Sequence, residues 1–96
     1  MKTIMTLYLQ DVNKNGKMIF EKEVNLTISP FIGLNIFYNE LGEHIVDQVV
    51  VYDEDILAGQ INIRCFKDID LNNNIIDKYL YRGFGIILDQ RILKNN

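Results

Sequence analysis

At 96 residues with a formal net charge of −3, the chain is long enough for one domain around one core and short for a deep catalytic cleft as well. Its 48% apolar and 24% charged residues are those of an ordinary globular domain, and a single cysteine, Cys65, excludes an internal disulfide and a cysteine-rich metal site. The acidic balance argues against a nucleic-acid partner, because contacts to phosphate supply most of the non-specific affinity there.

The opening stretch MKTIMTLYLQDV has one base, Lys2, no continuous apolar segment, and polar residues at Gln10 and Asp11. It reads as neither a signal peptide nor a membrane span, so a cytoplasmic protein with no membrane partner is expected. Thr3 to Asp11 alternates, with Met5, Leu7 and Leu9 on one face, as a half-buried strand does. Lys17 to Ile28 alternates in the opposite parity, with Met18, Phe20, Val24, Leu26 and Ile28 apolar. Asn15-Gly16 between them predicts a two-residue hairpin turn, since both residues tolerate positive φ. That turn sets Leu7 opposite Val24 and Met5 opposite Leu26, and leaves Lys22 opposite Leu9 at the rim of the core.

Pro30 ends the second strand, and Leu34 to Tyr38 predicts a third. After a loop with Gly42 at the positive-φ position, a fourth strand runs from Ile45 into Val49-Val50-Val51-Tyr52, whose lack of any polar member predicts burial on both faces. Ile61, Ile63 and Cys65 mark a fifth strand. The period then changes: Leu71, Ile75, Ile76, Tyr79 and Leu80 predict a helix, with Asp70 or Asn72 as its N-cap and Gly83 just past its end, and Phe84 to Leu88 predicts a last strand. The expected fold is α+β and predominantly β, a single domain over 1–96. It is a small antiparallel curved sheet or open barrel in the order β-β-β-β-β-α-β with one C-terminal helix. An OB-fold is disfavoured, because its helix falls between the third and fourth strands.

Charge is unevenly distributed. From Glu23 to Ile63 there is no Lys or Arg, and Glu23, Glu40, Glu43, Asp47, Asp53, Glu54 and Asp55 give that segment −7, against +4 for the rest. A negative surface of this kind steers a basic partner, although exposed turns also collect charge without function. Asp53-Glu54-Asp55 does not continue as a calcium loop, since Ile56-Leu57-Ala58-Gly59 supplies no side-chain ligand, and no metal or cofactor is expected.

Arg82-Gly83-Phe84-Gly85 followed by Ile86-Ile87-Leu88 resembles the first half of the octamer of RNA-recognition motifs. That octamer's later aromatics fall at Ile86 and Asp89, and its fold needs a further helix and strand. A helix C-cap glycine leading into a strand explains the same letters. His44 is the only imidazole, Ser29 the only serine, and Cys65 falls on the core face of its strand, so catalysis is not expected. Tyr8, Phe37, Phe66 and Tyr81 point away from the first core, which requires that the helix or a partner cover them.

The expected function is a non-catalytic protein-binding domain that presents Glu40, Glu43, Asp47, Asp53, Glu54 and Asp55 to a protein with a basic surface. Asn, Ile and Lys make up 33 of the 96 residues, a bias of AT-rich coding that suits a low-GC bacterium or its phage, and hence a phage or mobile-element inhibitor or accessory protein. A self-associating structural or assembly subunit, a homodimer through strand edges, and a small-molecule-binding open barrel are the alternatives.

Overall fold

The computed structural model describes residues 2–52 and 59–92. Its strands are β1 (Thr3–Asp11), β2 (Gly16–Val24), β3 (Asn35–Tyr38), β4 (Gly42–Val51), β5 (Ile61–Ile69) and β6 (Gly85–Arg91), and its helix is α1 (Asn73–Tyr81). The strands form one open sheet in the order β3-β4-β5-β1-β2-β6, with β3 and β6 at its edges. The fold is therefore α+β and predominantly β, as the patterning predicts, and the sheet does not close into a barrel.

The pairing departs from the antiparallel expectation at one seam. β1 and β5 run parallel, from Thr3 beside Ile61 to Asp11 beside Ile69. A parallel pair needs a long connection, which β2, β3 and β4 supply. Odd-numbered residues meet odd-numbered ones across this seam, so Met5, Leu7 and Leu9 share a face with Ile63 and Cys65.

The first hairpin has the predicted parity and a different register. Leu7 pairs with Phe20 and Leu9 with Met18, so Lys22 lies beside Met5 rather than Leu9. The turn is the four residues Val12 to Asn15, because the Asp11 carboxylate gathers it: Asp11 accepts from the backbone N–H of Asn13 (3.3 Å), Asn15 (3.1 Å) and Leu71 (3.2 Å). Burial works to raise the Asp11 pKa, and these donors hold it below the ordinary carboxylate value. Gly16 serves a different purpose from the turn. A Cβ there would stand 2.1 Å from the Gln90 carbonyl oxygen, so glycine is what lets β6 lie against β2.

β4 also differs from expectation. Its register against β5 shifts between Val46 and Gln48, a bulge that leaves Asp47 as the extra residue and inverts the parity of everything after it. Val46 is fully buried, while Val49 and Val50 are half-buried and Val51 is exposed. The valine run is thus not a doubly buried central strand, and Val50 is no core position. β2 ends at Val24 rather than Ile28, and the loop that follows exposes Ile28, Phe31 and Ile32.

The helix forms as its pattern requires. Asn72 is the N-cap, its side chain accepting from Ile75 N–H at 2.9 Å, and Gly83 (φ 90°) follows the last turn. Ile76 and Tyr79 turn its apolar side onto the sheet, where Tyr79 stacks on Phe20 with centroids 5.3 Å apart and Phe84 meets both rings edge-on. The Phe84 of the octamer-like stretch is therefore a buried core residue, not a platform for a base.

Candidate functional site

The two faces of the sheet carry different chemistry. On the covered face His44, wholly buried, contacts the Ile36 carbonyl through Nδ1 at 3.1 Å and the Tyr79 hydroxyl through Nε2 at 2.8 Å. An imidazole that donates from Nδ1 to a carbonyl accepts at Nε2, so the Tyr79 O–H donates to it. Burial, reinforced by the nearby Lys67 ammonium, lowers the His44 pKa to about 4. The ring is thus a neutral tie between the β3–β4 hairpin and α1. Burial pushes the Cys65 thiol up to about 12, with Asp47 adding to the rise, which leaves it a small hydrophobe rather than a nucleophile. Both groups are spent on the core.

Glu40 stands apart from Glu43 and Asp47. Glu40 lies in the β3–β4 turn at φ 70°, 4.0 Å from Lys78 of α1. Glu43 and Asp47 lie on β4 and point away from the helix. Asp47 is held by a two-pronged ion pair with Arg64, at 3.0 and 3.2 Å. Lys67 donates to the carbonyls of Leu41 and Glu43, both at 2.6 Å. The basic-free segment thus folds against bases from β5 and α1. Asp53, Glu54 and Asp55 lie outside the described residues.

The helix does not cover Tyr8 and Phe66, since it occupies the opposite face. Strand order and register place five apolar residues in a row across the open face: Leu88 on β6 beside Ile19 on β2, Ile19 beside Tyr8 on β1, and Tyr8 beside Phe66 on β5. Ile45 comes next on β4, adjoining the Val46–Cys65 pair. Tyr8 and Phe66 touch with centroids 4.8 Å apart, and the Arg64 guanidinium lies 4.8 Å over Phe66. Phe66 remains 55% exposed and Ile45 42%.

Polar rows flank this stripe. Glu21, Thr6 and Arg64 run along one side, with Asp47 and Gln48 beyond them; Lys17, Gln10 and Asp68 run along the other, with Glu43 beyond. A groove of about 350 Å³ opens on the second side, its walls including Tyr8, Phe66, Gln10, Lys17 and Asp68. Among the described strand residues on this face, carboxylates outnumber bases: Glu21, Glu23, Glu43, Asp47 and Asp68 against Lys17 and Arg64. Glu21 and Asp68 escape the sequence reading because they sit outside the basic-free segment. Only the pairing register brings them onto the same face as Glu43 and Asp47.

Among the described residues no group of His, Cys, Asp and Glu side chains is placed to hold a metal ion, and no helix is long and apolar enough to cross a membrane. No protein-family model matches the chain, and neither a curated protein nor a solved structure is detectably similar to it.

Proposed function

We propose that the chain is a non-catalytic protein-binding domain that takes a partner with a basic surface on the open face of its sheet. One observation carries this reading: an apolar stripe crosses five strands on the face that α1 leaves bare, between rows in which carboxylates outnumber bases. Exposed apolar side chains rimmed by polar ones are the usual anatomy of a recognition surface. The carboxylates add steering and discrimination rather than most of the affinity. The engagement of His44 and Cys65 in the core supports a role without catalysis. A small scaffold with one such face suits an inhibitor or accessory protein, and the AT-biased composition suits a phage or mobile element as its source.

The test compares the wild-type chain with Phe66→Ser and with Glu43→Lys for binding to a partner isolated from the source cell. Loss of affinity in both, with the fold retained, is expected. Equal affinity in all three would remove the face from the reading.

A second reading, self-association, is favoured by β6. It is an edge strand with Ile86 and Ile87 exposed and no Pro or Lys to blunt it, the kind of edge that pairs with another copy. Sedimentation at increasing concentration should then show a dimer that Ile87→Lys abolishes, and a strict monomer throughout would retire this alternative.

A further inference from the structure

The open face also indicates what kind of segment it receives, given the reading that it binds protein. Its apolar stripe runs across the strands, from Leu88 through Ile19, Tyr8 and Phe66 to Ile45. Five strands spaced about 4.8 Å apart make the stripe about 19 Å long, and it is one residue row wide. Except at the outer edge of β6, the backbone N–H and C=O groups beneath it are already used in the ladders on either side, so a segment laid across this face finds no main-chain partners there. An extended segment would bury its own backbone groups unpaired, at a cost that a helix avoids by bonding internally.

The charges decide against a second copy of this chain. Two such faces brought together would oppose surplus carboxylates with surplus carboxylates, whereas a basic segment meets a net negative charge on each flank, Glu21 and Asp47 against Arg64 on one and Asp68 and Glu43 against Lys17 on the other. Asp47 is already matched by Arg64 and Lys67 lies near Glu43, so among the described residues the carboxylates of this face in no such pairing include Glu21 and Asp68.

We infer that the occupant is an amphipathic α-helix of a partner protein, lying across the strands with its apolar side on the Leu88–Ile45 stripe and Lys or Arg on both of its flanks. At 1.5 Å per residue, about 13 residues span the stripe. Phe66 and Tyr8 at its middle take the central apolar side chains of the helix, as the best-desolvated positions of an interface do.

The experiment uses the full chain and three 14-residue probes, followed by amide and methyl chemical shifts. The first is a Leu/Lys peptide patterned as an amphipathic helix, the second has the same composition with two central prolines, and the third replaces each Lys with Glu. The helical Leu/Lys peptide should shift Ile19, Tyr8, Phe66 and Ile45 and gain helicity on binding. Phe66→Ser should weaken it about tenfold, and raising the salt from 0.05 to 0.5 M should weaken it further. The Leu/Glu peptide should leave the face unperturbed. Equal binding of the proline-containing peptide at this face would overturn the helix while leaving the protein-binding face in place. Shifts confined to α1 or to the β6 edge, or no shift with either Leu/Lys peptide, would overturn both.

Discussion

On the side that faces α1, the central strands present Met5, Leu7, Leu9, Met18, Phe20, Ile63 and Cys65, all buried; on the other side the same strands present Tyr8, Ile19 and Phe66, which are not. Both sets come from alternating sequences with apolar members in both parities. The difference is that α1, nine residues long, can shield only one face. An apolar residue facing the helix is therefore accounted for by folding, and one facing away is not. Where α1 is committed to one side, the second parity is where recognition is to be sought.

Four measurements break or sharpen this contrast. The largest effect belongs to Phe20→Ala on the covered face, where the ring is packed between Tyr79 and Phe84; urea denaturation should show a loss of about 3 to 5 kcal/mol. Next is acid. The native His44 pKa, about 4, lies below the ordinary value of 6.5, so the unfolded chain takes up a proton that the native state refuses. Stability should fall as the pH drops from 6.5 to 4 by about 3 kcal/mol from this group alone, and His44→Gln should flatten that slope. Tyr79→Phe should cost about 1 to 3 kcal/mol, since it leaves the buried Nε2 of His44 without its donor. Smallest is Phe66→Ser on the open face: a change of under about 1 kcal/mol in stability, from the lost contacts with Tyr8 and Arg64. A loss at Phe66 as large as that at Phe20 would mean that the two faces are not distinct in kind.

Local features of the chain were readable in advance, and those set by distant partners were not. The alternation of β1, the Asn72 cap, the positive φ of Gly42 and Gly83, and the burial of Cys65 all depend on neighbours within a turn or on periodicity, and the structure has each of them. The hairpin register differs from the expected one because Asn15-Gly16 carries a strong turn signal of its own, while the Asp11 carboxylate and the approach of Gln90 to Gly16 decide the outcome. The valines of β4 depart from the expected burial because one bulged residue, Asp47, reverses their facing, and no local pattern announces it. The acidic surface was half legible: Glu43 and Asp47 do lie on the open face, but Arg64 returns from β5 to neutralise one of them, and Glu21 and Asp68 arrive from strands far away in sequence.

The parallel seam between β1 and β5 also governs how the molecule comes into being. Thr3 pairs with Ile61, 58 positions further along the chain, so β1 is made well before this partner and sits in the interior of the finished sheet. At the usual 5 to 20 residues per second, its partner follows roughly 3 to 12 s later. Until then the nascent hairpin of β1 and β2 has an open edge along Met5 to Leu9 and no second layer, and a lone two-stranded ribbon is at best marginally stable in water. Folding of the sheet must therefore wait for β5.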